Sequence, residues 1–219
     1  MDHAYFDIAY TPGVKAAQAA NGSAEYWAHF NGKKENSRLT TAEAEFMATR
    51  DSFYMASVSE TGWPYVQHRG GPAGFLRVID NKTLAFPDFR GNRQYISLGN
   101  VAANDRVALF LMDYAHRRRL KIYARIEVKD LAADPTLTEK LAMPGYPAKI
   151  ERAFVLHVEA FSWNCPQHIT PRFSEAEIDA ALTPVRAHIA QLEAENKMLR
   201  NKLSLSADEQ NHGEQDVVR

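Results

Sequence analysis

From Phe53 to Phe161 the chain repeats one unit, an apolar run of strand length followed by a polar turn, with few helical stretches in between. Phe53, Met55 and Ser57 alternate with Tyr54, Ala56 and Val58 until Glu60-Thr61-Gly62 breaks the run. Successive side chains of a strand point to opposite faces, so period two predicts a β-strand, and residues 63–69 are its hairpin partner. Residues 75–79, the turn Asp80-Asn81-Lys82 and residues 83–86 form a second hairpin. The apolar runs 107–112, 120–128 and 153–161 complete the set. A parallel doubly wound sheet needs a helix between most strands, and those helices are missing. The expectation is a mainly β domain with peripheral helices, its antiparallel sheet of about six strands curled into a small barrel.

The helical signals lie around that core. Thr11 caps a predicted helix over 12–20, where Pro12 suits a first-turn position, and Asn21-Gly22-Ser23 ends it. Thr40 and Glu43 form a capping box for a helix over 41–49, with Phe46 and Met47 as its buried contacts. Shorter helices are expected over 92–100 and from Asp134-Pro135 to 141. Four segments follow: an N-terminal helical segment over 1–50 packed on the barrel, the barrel over 51–173, a long C-terminal helix over 174–205, and a tail over 206–219 without structure.

The C-terminal helix carries a seam. Ile178, Leu182, Val185, Ile189, Leu192, Asn196, Leu199 and Leu203 fall at alternating steps of four and three, the spacing of a coiled coil. Asn196 occupies an inner position, and Glu195 and Arg200 flank it. The same pattern would serve an amphipathic helix packed on its own domain. A DNA-binding zipper is excluded, because Glu175, Glu177 and Asp179 stand where a basic region is required.

Composition narrows the chemistry. Cys165 is the only cysteine among 219 residues, so no intrachain disulfide or multi-cysteine metal site can form, as expected of a cytoplasmic protein. The first twenty residues show no secretory pattern, and no window approaches the ~18 apolar residues of a membrane span. No membrane partner is expected. A formal charge of −1 gives no general attraction to nucleic acid, and none is expected as a partner. Between Val66 and Ile126, however, eleven basic residues stand against four acidic ones. That stretch is expected to hold an anion.

No Ser-His-Asp arrangement, His-Glu-x-x-His, Gly-x-Gly-x-x-Gly or P-loop is present, so catalytic residues stay unassigned and no metal site is expected. His157, in an apolar run, is expected to be a hydrogen-bonded core or sheet histidine. The informative stretch is Leu84-Ala85-Phe86-Pro87-Asp88-Phe89-Arg90-Gly91-Asn92-Arg93, a strand running through a glycine turn towards a helix start. Amides at a helix start favour an anion, and Arg90 and Arg93 add charged donors suited to phosphate. The alternative is a surface loop whose arginines pair with Asp88 and Asp105. Gln67-His68-Arg69-Gly70-Gly71 closes another strand, with paired glycines that would let a flat ligand approach the backbone. Arg117-Arg118-Arg119 opens the strand over 120–128, where alternation turns one or two of them inward.

Together these motifs resemble the FMN-binding split barrels of the pyridoxamine 5′-phosphate oxidase-related family. The segment Trp163-Asn164-Cys165-Pro166-Gln167-His168-Ile169-Thr170-Pro171-Arg172 is similar to the Asn-Cys-Pro-x-x-Ile signature of one flavin-binding branch. The resemblance implies a homodimer with FMN in a groove between subunits. It implies phosphate contacts from Arg69 and Arg93, assisted by Arg90 and Asn92, and ring and ribityl walls from Gln67, His68, Phe86, Pro87 and Asp88. Arg119 would contact the same flavin, and Asn164, Gln167, His168 and Arg172 would come from the other subunit. The lysine that pyridoxamine phosphate oxidases carry after the phosphate-binding arginine is replaced here around Gly70-Gly71-Pro72, which points away from vitamin B6 turnover. The implied function is an FMN-dependent oxidoreductase acting on a small molecule, or a flavin carrier or redox sensor without turnover. Cys165, beside that flavin, is either a redox thiol or a small buried side chain.

Overall fold

The computed structural model describes residues 4–29, 36–163 and 166–215. The chain divides into two units, residues 1–171 and residues 172–219. In the first unit three short helices, α1 (Ala4–Ala9), α2 (Pro12–Ala20) and α3 (Ala24–Ala28), precede α4 (Thr41–Ala48). The expected caps form: Thr11 accepts from the Val14 amide at 3.4 Å, and Thr40 and Glu43 close a capping box around α4. Glu43 is buried and also accepts from Trp163 Nε1 at 2.6 Å. Burial works to raise the Glu43 carboxyl, but the Thr40 and Trp163 hydrogen bonds outweigh it and hold the group below its ordinary range. Phe46 and Met47 are buried as expected.

Seven strands follow: β1 (Ser52–Val58), β2 (Pro64–Gly70), β3 (Arg77–Val78), β4 (Thr83–Phe89), β5 (Arg106–Asp113), β6 (Arg118–Lys129) and β7 (Ile150–Trp163). They form one sheet in the order β2-β1-β5-β6-β7-β4-β3, antiparallel at every pairing. Each of the seven strand-length runs in the sequence becomes one of these strands; the first half of the second hairpin shrinks to two residues, while β4 and β7 extend beyond their apolar runs. Helix α5 (Ile96–Ala103) bridges β4 to β5, and α6 (Pro135–Lys140) bridges β6 to β7.

Alternation decides the inner face. Phe53 and Met55 of β1, Leu109 and Leu111 of β5, and Leu120 and Ile122 of β6 meet Phe75, Phe86, Phe154 and Leu156 in one core. β4 and β7 depart from alternation, with residues 84–88 and 153–156 buried on both sides. Their second face lies under Leu137 of α6 and Leu141 just after it, which pack on Ala85, Ala153 and Val155. Pro87 is tolerated in β4 because β3 pairs only with Leu84 and Ala85, and β4 is an edge strand beyond them.

A Cβ on Gly71 would lie 2.8 Å from Phe75 Cγ and 2.9 Å from Phe89 Cε2, so the missing side chain there makes room for core rings. Gly74 has φ +75° and a Cβ there would meet the Ala48 carbonyl oxygen at 2.8 Å. Gly74→Ala is therefore expected to cost about 1–3 kcal/mol, lowering the thermal midpoint by about 2–4 °C per kcal/mol. A calorimetric midpoint equal to that of the unmodified chain would contradict it.

The second unit holds one helix, α7 (Glu175–Gln215), which continues through Pro184 and runs into the segment expected to be an unstructured tail. Ser174 and Glu177 cap its start: the Glu177 carboxylate accepts from the Ser174 amide at 2.7 Å and the Ser174 hydroxyl accepts from the Glu177 amide at 3.3 Å. No helix among the described residues is long and apolar enough to cross a membrane.

Candidate functional site

Strand alternation on β2 sends Gln67 and Arg69 inward beside Met55 and Phe53, their partners across the ladder. The Arg69 side chain keeps only 13% of its exposure. Its Nη1 donates to Asp88 Oδ1 at 2.9 Å, and its guanidinium lies over the Phe154 and Phe86 rings at 5.3 and 5.7 Å. Asp88 stands near the end of β4, opposite Arg152 at the start of β7. Arg152 Nη1 lies 3.7 Å from Asp88 Oδ2, while its Nη2 donates to Glu151 Oε2 at 3.1 Å. Glu151 also accepts from Arg90 Nε at 2.8 Å and from the Tyr95 hydroxyl at 3.1 Å.

Arg69, Asp88, Tyr95 and Glu151 of this network line a hollow of ≈ 170 Å³ together with Gln67, Asn92, Arg93 and Ser97, whereas Arg90 and Arg152 pair with its carboxylates without lining it. Four guanidinium groups, of Arg69, Arg90, Arg93 and Arg152, stand against the carboxylates of Asp88 and Glu151, which leaves two positive charges in excess. Burial raises the Asp88 carboxyl above its ordinary range and lowers the Arg69 guanidinium; their mutual attraction opposes both shifts without cancelling them. The hydrogen bond from Arg90 holds Glu151 low, and the one with Tyr95 raises Arg93.

Two donors in this cluster are unspent. Arg69 Nε and Arg152 Nη1 are buried and make no hydrogen bond among the described residues. An unsatisfied buried donor costs about 1–3 kcal/mol, and more when charged, so two of them around one carboxylate fit an acceptor that the chain does not itself supply. The loop above them is held in an uncommon conformation. Arg93 and Tyr95 have φ of 64° and 54°, and the Gln94 amide donates to Asn92 Oδ1 at 3.1 Å. Helix α5 then starts without a side-chain cap, four residues later than the sequence pattern suggests, so its first amides have no intrahelical partner. Ser97 in its first turn donates to Gln67 Oε1 at 2.8 Å, and Asn100 donates to Ser57 at 3.1 Å; both bonds tie α5 to the first hairpin.

The structure therefore brings together Gln67, Arg69, Asp88, Arg90, Asn92 and Arg93. It separates the others. Phe86 and Pro87 are buried in the sheet, where Phe86 packs on Phe53, Phe75 and Phe154, and so do not form an open wall. His68 faces the other side of β2 and meets Tyr54 edge-on at 5.5 Å. Arg119 shares that outer face, pairing across from Met112 with its guanidinium 6.0 Å from the Phe110 ring. Gln167 and His168 follow β7, Arg172 opens the second unit, and none of the three lines the hollow around Arg69. Asn164 and Cys165 lie outside the described residues.

Arg90 pairs with Glu151 and Asp105 pairs with Arg125, so the loop arginines do not use the carboxylates expected of a surface loop. His157 lies on the outer sheet face, 3.7 Å from Glu127. No cluster of metal-ligating side chains occurs among the described residues. Glu151, Arg152, Tyr95 and Ser97 escape the sequence reading because Ile150-Glu151-Arg152 looks like a polar loop. The available signal was a basic residue placed opposite Asp88 once β7 is extended backwards.

The model of the family described as pyridoxamine 5′-phosphate oxidase matches residues 39–159. No curated protein matches the chain. Among solved structures, a Clostridium acetobutylicum protein related to general stress protein 26 of the pyridoxinephosphate oxidase family is 16% identical, with 63% of this chain and 94% of that one covered at a TM-score of 0.44. An FMN-binding protein from Syntrophomonas wolfei is 11% identical over 67% of this chain and 97% of its own, at a TM-score of 0.42. An F420 reductase is 22% identical over 54% and 94%, at 0.38. The matched segment runs from just before α4 into β7, carries the inward arginine of β2 and the phosphate-suited loop after β4, and spans more than half of the sequence; the chain belongs to the pyridoxamine 5′-phosphate oxidase family, with that family's split barrel.

Proposed function

We propose that this chain is a homodimeric flavoprotein which holds FMN by its phosphate in the hollow around Arg69 and moves a hydride or electrons between the flavin and a small organic partner. The observation that carries the reading is Arg69 at the hollow, its buried Nε without a hydrogen bond among the described residues, beneath the Arg93 loop with excess positive charge around it. A phosphate monoester supplies two negative charges and several acceptors, which suits that set. When bound, the flavin supplies the redox chemistry, and the protein supplies binding, orientation and electrostatics. Arg69 would hold the phosphate from below, Arg93 and the first amides of α5 from above, and Arg152 would act through the Asp88 and Glu151 carboxylates it pairs with. Asp88 keeps both buried guanidiniums in place, and Ser97 fixes Gln67 at the rim.

The hollow is smaller than the ~300–1,000 Å³ that encloses a whole small ligand, so one chain accounts for the phosphate end. The rest of the site is assigned to the seam with a second copy. Support comes from the outer face of β1, β2 and β5, where Tyr54 and Val66 are exposed around an apolar hollow of ≈ 380 Å³ that also touches Phe110 and Ala108. Gln167, His168 and Arg172 are then candidates to reach the partner's flavin, and His68 and Arg119 lie on the face that the second copy covers.

The test begins with colour. Purified protein should show flavin absorption in the visible range, with FMN as the released chromophore, and a colourless preparation that takes up no added FMN would end the proposal. Arg93→Ala should raise the FMN dissociation constant about tenfold or more, because it deletes a charged donor while leaving the buried pair intact; titration by flavin fluorescence measures this, and an unchanged constant would remove Arg93 from the site. Consumption of a nicotinamide or deazaflavin donor by the loaded protein would separate an oxidoreductase from a carrier.

A further inference from the structure

Helix α7 begins after the matched family segment ends at residue 159 and carries an exposed apolar stripe. Ile178, Leu182, Val185, Ile189, Leu192, Leu199 and Leu203 are each at least 40% exposed. The stripe from 178 to 203 is about 39 Å long at 1.5 Å per residue, and the next inner positions, Ser206 and Gln210, are polar. A helix with such a stripe draws most of its stability in water from burying it.

We propose that α7 pairs with α7 of a second copy of this chain as a parallel, in-register, two-stranded coiled coil. In heptad terms Leu182, Ile189, Asn196 and Leu203 occupy a positions, and Ile178, Val185, Leu192 and Leu199 occupy d positions. Ile189 at a with Leu192 and Leu199 at d follows the two-stranded pattern, while Leu182 at a between Ile178 and Val185 at d follows the opposite one, so the number of strands is decided by the polar inner position, Asn196. Asn196 supports the parallel pair. A buried amide needs a partner, and in a parallel in-register pair the two copies of Asn196 face each other and satisfy one another, at a cost in stability that selects this register.

Charge complementarity identifies a second copy as the occupant. In a parallel pair each g residue meets the e residue five positions later on the other helix. Glu195 at g and Arg200 at e stand at that spacing, so symmetry produces the attractive pair twice. His188 and Glu193 repeat the spacing one heptad earlier, and Ala181 faces Arg186; no like-charged pair occurs along the stripe. The existing intrahelical contacts, Gln191 Nε2 to Glu195 Oε1 at 3.0 Å and Arg186 to Asp179 at 3.0 Å, lie on the flanks and leave the seam clear. This inference stands apart from the flavin reading, since it uses no residue of the barrel.

The test uses the full chain. With Cys165→Ser removing the sole native thiol, Leu199→Cys and, separately, Leu192→Cys place one thiol at a d position. Mild oxidation should convert both variants almost completely to a disulfide-linked pair, whereas Lys197→Cys, at an outward b position, should react several-fold more slowly. Glu195→Lys should slow linkage at 199, and Arg200→Glu in the same chain should restore it. Failure to link at both 199 and 192, or equal rates at 197 and 199, would overturn the proposal in favour of antiparallel pairing, cover by the chain's own barrel or a different protein. A plateau near about two thirds would indicate a three-chain bundle and overturn it as well.

Discussion

Replacing Arg69 with alanine is expected to remove about 3–5 kcal/mol of folding stability, the cost of breaking a buried ion pair from one side. Asp88 would stay buried, with Arg152 Nη1 at 3.7 Å as its nearest remaining cation. The stack of the guanidinium over Phe86 and Phe154 would be lost too. Urea unfolding followed by circular dichroism measures the loss. In the double variant Arg69→Ala with Asp88→Ala, most of it should return, because no uncompensated charge is left inside. Burial raises Asp88 and lowers Arg69, as expected where desolvation outweighs attraction, in line with a buried pair whose removal as a unit costs little. Arg69→Ala should also abolish retention of the proposed FMN, and the double variant should not restore it. A single variant within about 0.5 kcal/mol of the unmodified protein would refute the buried pair.

Phe86→Ala is expected to cost about 3–5 kcal/mol by a different route, deletion of a large side chain from a close-packed core. Phe86 is fully buried, with ring centroids 5.2 Å from both Phe53 and Phe154 and a near-perpendicular approach to the first. Phe86→Leu should recover more than half of the loss, since it refills most of the volume. Were Phe86 instead an open wall of a ligand site, alanine would lower flavin affinity while leaving the unfolding midpoint almost unmoved. Comparing the two readouts decides between these roles.

Much of the fold is legible before any coordinates. Thr40 and Glu43 announce α4, Thr11 and Pro12 announce α2, and the alternation of Phe53, Met55 and Ser57 announces β1 with its correct inner face. These features succeed because their cause is local: a cap completes hydrogen bonds three residues away, and a strand's two faces follow from its pleat. Prediction is poorer for the segments at 77–78 and 150–152. Strand length there depends on a partner, since β3 ends where its ladder ends and the polar start of β7 becomes strand by pairing with β4.

The candidate site divides in the same way. The motifs around Arg69 and Arg93 direct attention to this hollow from residue type and spacing alone. The space freed at Gly71 is taken by Phe75 and Phe89, which no local pattern reveals. His68 shares β2 with Gln67 and Arg69 but not their hollow, because side chains one residue apart on a strand go to opposite faces. Phe86 lies on the same face as Asp88 but is fully buried, and Arg119 stands on β6, which contributes no residue to the hollow.

What the order of residues determined by itself was a set of antiparallel strands, their inward and outward sides, the helix caps, and a concentration of arginine in the middle of the chain. Each depends on interactions within a few residues or on the period of a repeating backbone. What only the tertiary structure decided was which charges meet. Arg152 reaches Asp88 and Glu151 reaches Arg90 because β7 returns beside β4 after some sixty residues, and the choice of partners at that distance belongs to the packing of the whole sheet.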